Sequence, residues 1–459
     1  MNRKKQYSYK LKRWLPEYEK AAGMTYKWAQ AEIQQKSFVH VATAYVIAPV
    51  LFAYVDWLLA DAVYRKIDCL YFLSRDGYQM LEIAKIICEK RDYNIELRYL
   101  YCSRYALQIP SNRLKFDYID RICTGGKKVS YEQILERGGL TEKEIDFVML
   151  KDGEIEQKGK PLSYQRVRKL KDSLEKNSYF QKCVLQHSRE TYSACIEYLR
   201  QEGLLSNKHY AIVDSGWTGG MQDMLQILLR SAGYKEELEG YYFGLYELPQ
   251  GKKKKKYHTF YFQPQGYWKR KVMFNNNLFE VLFSAPEGMT MSYQKNEQKY
   301  EPVLDRKEGN VKLYDDQIRV MQRFATQIEI CSLDTQQPDR FRKILAHGLD
   351  AVIRMFMSNP SQEEAQYYGN YFFSDHVRES GMTVLAEPLG KEELKANHIF
   401  NRYRSMQKGE YVPTSFWIMG SLKKYNAGKF EMWWHRNQIQ AYYYALYIRK
   451  DIKRNGKTK

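Results

Sequence analysis

The chain of 459 residues lacks the patterns that mark the commonest metal and nucleotide sites. Its seven cysteines form no CxxC pair and its eight histidines show no HxH or HExxH spacing, so the sequence predicts no zinc site. It also lacks the GxSxG, GxxxxGK(S/T) and DxDxT motifs of esterases, P-loop proteins and haloacid-dehalogenase phosphatases. The odd cysteine count, with several cysteines in apolar runs, predicts reduced thiols in a cytoplasmic protein rather than a disulfide framework.

Long hydrophobic runs are scarce as well. The basic start, MNRKKQYSYKLKRW, is not followed by the apolar core and cleavage site of a signal peptide. The most apolar run covers residues 41–55, contains Pro49 and is closed by Asp56. It is about five residues short of the roughly 20 that a membrane span needs. We therefore predict a buried or interfacial helix here, and we leave open a peripheral contact with the inner membrane face.

Acidic residues are outnumbered by basic ones. Lys and Arg number 73 and Asp and Glu number 54, which gives a net charge of +19. Such an excess predicts a polyanionic partner: nucleic acid, an acidic membrane surface or a phosphorylated substrate. The 40 tyrosines and eight tryptophans suit sugar-binding or stacking surfaces and a large core equally well. Composition alone does not choose among these partners.

The order of the segments predicts an α/β fold. Strand-like runs at residues 68–73, 96–102, 209–213 and 240–246 alternate with helical patterns. This alternation favours a Rossmann-like, mostly parallel sheet flanked by helices, with helical N-terminal and C-terminal regions. We expect three parts: a helical segment (1–66), an α/β donor-binding catalytic core (67–310) and a helical C-terminal region with a basic tail (311–459).

Three of these strands end in loops rich in small and polar residues, with the sequences SRDG, SR and DSGWTGG. Ligands of parallel sheets bind at the carboxyl ends of the strands, where the next helix offers free backbone N–H groups to phosphates. An ordinary tight strand-to-helix turn is the alternative interpretation. The residues predicted to bind an anionic ligand are Ser74, Arg75, Gly77, Ser103, Arg104, Ser215, Gly216, Thr218, Gly219 and Gly220.

Charged residues at the same strand ends are candidates for catalysis. Arg75 and Arg104 each follow a serine, and the planar guanidinium group suits bidentate recognition of phosphate. Asp76 is either the salt-bridge partner of Arg75 or a metal ligand. Asp214, at the tip of the third strand, could hold a divalent metal or a sugar hydroxyl.

The segment FNNNLFEVLFSAPEG, residues 274–288, reads as an apolar helix interrupted by polar residues. An acid within an apolar run is costly unless it is paired or functional. Glu280 or Glu287 could accept a proton from a sugar hydroxyl, and Asn277 belongs to the same set. The alternative is an acid on the helix surface and another in a turn.

The loop around Asp214 resembles a known phosphate-binding element. A hydrophobic strand, Asp214, three residues, Thr218-Gly219-Gly220 and a helix follow the order of the phosphoribosyl-pyrophosphate loop of phosphoribosyltransferases. The acid that usually precedes the aspartate in that loop is Val213 here, a departure that affects the part holding the ribose hydroxyls.

Five motifs in order, YFLSRDG, YLYCSRYALQIP, AIVDSGWTGGMQ, GYYFGLY and NLFEVLFSAPEG, extend the resemblance over roughly residues 45–300. Together they resemble the glycan phosphoribosyltransferase domain of bacterial dual-domain ribofuranosyltransferases, which is usually fused to a haloacid-dehalogenase-like phosphatase. The resemblance implies transfer of a 5-phosphoribosyl group from phosphoribosyl pyrophosphate to a glycan, growing or lipid-linked, in capsule or O-antigen synthesis. A separate phosphatase would then act in the pathway.

The resemblance also implies roles for the candidate residues. Thr218, Gly219 and Gly220 would hold the 5′-phosphate, and Arg75 and Arg104 would hold the pyrophosphate together with Mg²⁺. Asp76, Asp214 and Glu280 compete for the roles of base and metal ligand, with Asp76 and Asp214 as the metal candidates.

Two alternatives stay open. One is a nucleotide-sugar-dependent glycosyltransferase of the same pathway. The other is a nonenzymatic basic protein that binds nucleic acid or a membrane. The densest basic run, residues 252–256, and the basic tail lie outside the motif loops, and no RNA- or DNA-binding signature is present. Nucleic acid is therefore the less favoured partner.

Overall fold

Five strands, four of them largely buried on both faces, form an all-parallel sheet in the computed structural model. The structure describes residues 2–249, 251–252, 254–305, 311–329, 336–374, 382–425 and 428–455. The expected boundary at 310/311, one residue of the lysine run, Cys331 and the end of the basic tail lie outside these residues. The strands are β1 Cys69–Leu73, β2 Glu96–Leu100, β3 Tyr210–Trp217, β4 Glu239–Leu245 and β5 Tyr257–Phe262.

The α/β class and the parallel sheet flanked by helices are confirmed, and about 61% of the chain is helical. The strand order is β2-β1-β3-β4-β5, so β2 and β3 lie on opposite sides of β1. In parallel sheets this reversal opens a crevice at the carboxyl ends of the two strands on either side of it, here β1 and β3. The sequence analysis missed β5 and the antiparallel hairpin of β6 Thr290–Asn296 and β7 Lys299–Leu304.

The helices are α1 Arg3–Trp14, α2 Pro16–Glu32, α3 Ser37–Ala42, α4 Ala48–Tyr64, α5 Gly77–Arg91, α6 Arg104–Ser111, α7 Tyr118–Ile122, α8 Tyr131–Arg137, α9 Glu142–Lys151, α10 Tyr164–Leu174, α11 Ser178–Gln201, α12 Gly220–Ser231, α13 Trp268–Met273, α14 Asn276–Leu282, α15 Val311–Gln327, α16 Pro338–Ser358, α17 Gln362–Tyr368, α18 Lys391–Ala396, α19 Ile399–Lys408, α20 Ile418–Lys424 and α21 Lys429–Asn455. A π-helical turn, Thr43–Ile47, joins α3 to α4, and short 3₁₀ turns occur at Asn112–Leu114, Ile155–Gln157 and Lys254–Lys256. A second small hairpin pairs β8 Phe372–Phe373 with β9 Thr383–Val384.

Alternation of side chains along β1 assigns the helices to the two faces of the sheet. Leu70 and Phe72 pack in a core that contains residues of α4, α5, α15 and α16. Tyr71 and Leu73 point the other way, into a second core with residues of α6, α11 and α12. Helices α7 to α10 and the start of α11 enclose a third, separate core. The sheet is therefore covered on both faces, as parallel sheets require.

The apolar run at residues 41–55 belongs to a longer continuous helix, Ser37–Tyr64. Among the described residues this helix alone has the length and composition to cross a membrane, but 94% of its most apolar window is buried inside the protein. That burial is typical of a core helix, and Tyr54 and Trp57 of this helix pack edge-on and tilted against aromatic rings of β4 and β5. The predicted buried helix is thus observed, and it is 28 residues long rather than 15.

A buried ion pair fastens this helix to α5. The Arg91 guanidinium donates to both carboxylate oxygens of Asp56, at 2.5 and 2.7 Å, and the two side chains are only 8% and 3% exposed. Burial raises the pKa of Asp56, and Arg91 opposes that rise. The pair therefore keeps a charge that burial alone would neutralise.

We expect Arg91→Met to cost about 3 kcal/mol of unfolding free energy, because it leaves Asp56 buried without its partner. Urea denaturation at pH 7 measures this loss. The matched control is Lys343→Met, which breaks the exposed pair with Asp339 and should cost less than about 1 kcal/mol. Equal losses in the two variants would show that burial of the Asp56–Arg91 pair does not matter.

Candidate functional site

Strand β3 runs past its neighbour β1 at the crevice. The last residues paired between them are Phe72 and Val213, and β3 continues to Trp217 by pairing with β4. The sequence analysis ended this strand at residue 213, so that prediction was wrong by four residues. Asp214, Ser215, Gly216 and Trp217 have the composition of a loop, but pairing with β4 keeps them extended. Only Thr218 and Gly219 remain as the turn before α12.

The end of β3 has an unusual backbone. Gly216 has φ +115°, and a Cβ placed there would lie 2.5 Å from the carbonyl oxygen of Gly244, so no larger residue fits. Trp217 follows with φ +73°, a left-handed conformation that a bulky side chain rarely adopts. Such strained positions persist only where the surroundings hold them, and they often occur at functional sites.

Three carboxyl groups gather where β3 overhangs β1. The Ser215 hydroxyl donates a hydrogen bond to Asp76, the residue directly before α5. The Trp217 indole N–H donates to Glu280 of α14 at 2.5 Å. The backbone N–H groups of Ser215 and Gly216 favour the ionised form of the Asp214 carboxyl and lower its pKa. The structure thus unites the three predicted catalytic acids, which lie far apart in the sequence.

Burial and mutual repulsion raise the pKa values of all three acids. Burial is the largest cause in each, and the pKa of Asp76, Asp214 and Glu280 is about 7. Asp214 further raises the pKa of Asp76, Glu280 that of Asp214, and Asp76 that of Glu280. Because each ionised carboxylate opposes ionisation of its neighbour, the protons leave in successive steps around neutral pH, where a group can both accept and release a proton.

The two predicted arginines face this acid cluster. Arg75 lowers the pKa of Asp76 and Glu280, and Arg104 lowers the pKa of Asp214 and Glu280. Arg104 is exposed at the first residue of α6 and makes no hydrogen bond or salt bridge with the described part of the chain. Its positive charge is therefore available to a ligand of the crevice.

The hydroxyls of Ser74 and Ser103, both predicted to bind a ligand, form hydrogen bonds within the fold instead. Ser74 Oγ donates to the carbonyl of Cys102 at 2.7 Å and accepts from its N–H at 3.0 Å, which ties the ends of β1 and β2 together. Ser103 caps α6 by accepting from the N–H of Ala106 at 3.0 Å, and it donates to the carbonyl of Thr290 at 2.5 Å. These serines position the arginines that follow them.

The predicted glycines and Thr218 lie at the starts of α5 and α12. A Cβ at Gly77 would lie 2.8 Å from the backbone of Phe72, so glycine lets α5 start directly against β1. Thr218 is exposed, Gly219 has φ +66° before α12, and Gly220 is the first residue of that helix. The backbone N–H groups of this 12-residue helix begin at the end of β3.

Asn277 and Glu287 lie outside the acid cluster. Asn277 is buried and donates to the carbonyl of Phe416 at 3.1 Å. Glu287 accepts from the hydroxyl of Tyr99. The predicted helix over residues 274–288 was wrong in extent, because α14 ends at Leu282, before Pro286, and leaves Glu287 in the connection to β6.

A cavity of about 680 Å³ lies on the other side of Trp217. Its walls come from the end of β3, from the segment after β4, from the loops around residues 125 and 275, and from α19 and α21. Its aromatic and cationic lining includes Trp217, Tyr246, Phe274, Tyr447, Lys127, Arg402 and Lys450. Trp217 therefore separates the acid cluster from a large space with surfaces suited to a sugar.

Neither Trp217 nor Tyr54 was singled out from the sequence. The Tyr54 hydroxyl donates to the backbone carbonyl of Asp214 at 2.9 Å and supports the end of β3 from the buried helix. Its position in an apolar run resembles that of any core aromatic residue. The positive φ of Trp217, which marks it out, is visible only in the structure.

The described residues contain no group of three or more His, Cys, Asp or Glu placed to hold a metal ion on protein ligands alone. One or two carboxylates are nevertheless enough for Mg²⁺ when substrate phosphates complete its coordination. The donors present at the acid cluster are oxygens, the type that Mg²⁺ prefers.

Comparison with known proteins assigns no family: no protein-family model and no curated protein sequence matches the chain. The resemblance described from the motifs therefore stays a prediction. The chemistry of the strand ends is the basis for the function proposed below.

We expect Asp76→Asn to become more stable than the unmodified protein as the pH rises. The Asp76 carboxyl has a pKa of about 7 in the fold and an ordinary value of 3.8, so the folded state binds the extra proton between these values. Stability contributed by this group thus falls from about pH 4 to pH 7 and levels off above that. Asparagine never ionises, and its carbonyl still accepts from Ser215.

The advantage of Asp76→Asn should grow by on the order of 2 kcal/mol between pH 5 and pH 8. Chemical denaturation at the two pH values measures it, with Asp92→Asn on the exposed end of α5 as a control expected to change equally at both. An advantage of Asp76→Asn that is the same at both pH values would contradict the raised pKa.

Proposed function

We propose that the protein is a glycosyltransferase that moves a 5-phosphoribosyl group from phosphoribosyl pyrophosphate to a hydroxyl of a glycan, with release of pyrophosphate. The sheet would act as a Rossmann-like donor-binding core. The observation that carries the proposal is the meeting of three carboxyls of pKa about 7 with two arginines at the ends of β1, β2 and β3.

The surroundings of this crevice favour a phosphorylated donor. Arg104 presents a guanidinium that pairs with none of the described residues, and Arg75 lies at the end of the adjacent strand. Helices α5, α6 and α12 all begin at these strand ends, and helix N-termini carry partial positive charge. The turn of Thr218 and Gly219 before α12 would take the 5′-phosphate, and the arginines would take the pyrophosphate.

Charge balance favours Mg²⁺ as part of the donor complex. Three carboxyls and two guanidinium groups leave the crevice without enough positive charge for a pyrophosphate. Asp76 and Asp214 are the residues that would hold the ion, because they lie at the ends of adjacent strands. When bound, Mg²⁺ supplies charge neutralisation for the departing pyrophosphate.

The reaction needs one bond made and one broken at the anomeric carbon of ribose. The acceptor hydroxyl oxygen forms the new bond, and pyrophosphate leaves with the electron pair of the old one. The hydroxyl proton goes to a carboxylate, and we assign this role to Glu280, because its partner Trp217 lines the cavity. A single displacement of this kind inverts the anomeric centre.

The cavity beyond Trp217 would take the glycan acceptor. Flat aromatic surfaces pack against the C–H faces of sugars, and the Trp217, Tyr246 and Tyr447 rings border this space. An acceptor here would approach the ribose from the side of Glu280, while the phosphates lie toward the arginines. An aromatic cavity for the acceptor, separate from the arginines that take the phosphates, suits a glycan better than a nucleic acid.

The assay incubates the protein with phosphoribosyl pyrophosphate, Mg²⁺ and candidate glycans, and follows pyrophosphate release and a phosphopentose-sized mass gain. We expect Arg104→Ala to lower kcat/KM by at least about a hundredfold, since a charge-assisted contact to the leaving group is lost. The variant should stay folded, because Arg104 is exposed and makes no hydrogen bond or salt bridge with the described residues.

Arg189→Ala, an exposed arginine on α11, is the matched control and should leave activity unchanged. Release of a nucleoside diphosphate from a sugar nucleotide would favour the alternative glycosyltransferase. Absence of turnover with either donor would contradict the enzymatic proposal.

The pH dependence tests the role of Glu280. We expect kcat to rise with pH up to about 7, as Glu280 loses its proton, and Glu280→Gln to lower kcat by about 10²- to 10⁴-fold. Trp217→Phe removes the N–H that lowers the pKa of Glu280, so the rising limb should move to higher pH. If kcat rises at the same pH in Trp217→Phe as in the unmodified protein, Glu280 is not the base that titrates.

A further inference from the structure

Helices α19 and α21 expose an unusual group of large apolar side chains. Phe400, Tyr403 and Met406 lie three residues apart on α19 and are 80%, 53% and 38% exposed. On α21 the exposed fractions are 76% for Phe430, 48% for Trp433 and 47% for Trp434. We call these six residues the α19–α21 face.

The six residues belong to adjacent helices rather than to scattered positions. The His398 and His435 rings are joined at 2.8 Å, and the Tyr442 hydroxyl lies 3.4 Å from the sulfur of Met406. The Phe430 and Trp433 rings stack with centroids 5.8 Å apart. Grouped exposed apolar side chains of this kind typically mark an interaction surface.

The part of the chain that carries the α19–α21 face is rich in positive charge. Between Lys391 and Asn455 the chain carries 13 Lys and Arg against five Asp and Glu. Arg404, Lys423 and Lys429 form no ion pair with the described residues. These cations are free to meet negative charge on a partner.

We infer that the α19–α21 face docks onto an anionic membrane surface. Tryptophan and tyrosine favour the interface between lipid headgroups and acyl chains, and phenylalanine adds apolar area below it. The unpaired cations complement anionic headgroups, which attract nearby Lys and Arg. A second copy of the chain fits less well, because a twofold contact would bring these like charges together.

Docking here would place the cavity next to the bilayer. Arg402 of α19 and Tyr443, Tyr447 and Lys450 of α21 line the cavity beyond Trp217. The same two helices therefore carry the exposed face and a wall of the proposed acceptor site. In this step, which rests on the proposed function, the acceptor is a glycan attached to a membrane lipid.

Flotation with vesicles of phosphatidylcholine alone and with added phosphatidylglycerol tests the docking. We expect the protein to float with the anionic vesicles and to be released by salt. The triple variant Phe430→Ser, Trp433→Ser, Trp434→Ser should bind at least tenfold more weakly with an unchanged melting temperature. Each Gln substitution at Arg404, Lys423 or Lys429 should weaken binding roughly fivefold.

The matched control is Tyr9→Ser, Phe116→Ser, Leu150→Ser, which removes equally exposed apolar side chains elsewhere and should bind as the unmodified protein does. Equal binding by the two triple variants, or no anionic preference, would overturn the inference. A dimer, or binding to mixed-sequence RNA, would also overturn the inference if the face variant loses that property and the control variant keeps it.

Pyrophosphate release with a water-soluble glycan separates this inference from the proposed function. The face variant should keep that activity, because its residues touch neither the acid cluster nor the donor crevice. Turnover without vesicle binding would remove the docking and leave the enzyme. Vesicle binding without turnover would support the docking and contradict the proposed enzymatic activity.

Discussion

Repulsion among three half-buried carboxyl groups is the constraint that organises the ends of the strands. Charges of one sign at close range inside a protein lower its stability unless hydrogen bonds or opposite charges offset them. The overhang of β3 supplies much of that compensation, through the Ser215 hydroxyl, the Trp217 indole and two backbone N–H groups. The arginines that follow β1 and β2 also favour the ionised forms of these acids. The conformation of Gly216 and the support from Tyr54 serve the same overhang.

The central fold was predictable because its signals are local. Apolar runs buried on both faces identify parallel strands, and the serine-arginine pairs that follow two of them mark the strand ends. β5 was missed because its tyrosines and phenylalanines follow a run of lysines that resembles a loop. The overhang of β3 was missed because Asp214, Ser215 and Gly216 favour turns by themselves. Their extended conformation comes from pairing with β4, which no local pattern contains.

Individual site residues were easier to predict than their connections. The acids Asp76, Asp214 and Glu280 stood out by chemistry, yet only the fold brings them together. Trp217 and Glu280 are 63 positions apart, and sequence spacing does not predict that contact. Ser74 and Ser103 were predicted to bind the ligand and Asn277 was a further candidate site residue, but their polar groups hold strand ends, a helix start and a loop. Polar residues at the ends of the strands thus also hold the scaffold together.

The Trp217 indole contacts both the cavity and the acid cluster, and this links binding in the cavity to the ionisation of Glu280. Its ring is a wall of the cavity, and its N–H stabilises the ionised form of Glu280. Any occupant that displaces the ring changes the proton affinity of Glu280, and by reciprocity the protonation of Glu280 changes the affinity for that occupant. Binding of an occupant in the cavity and loss of the proton from Glu280 are therefore coupled events.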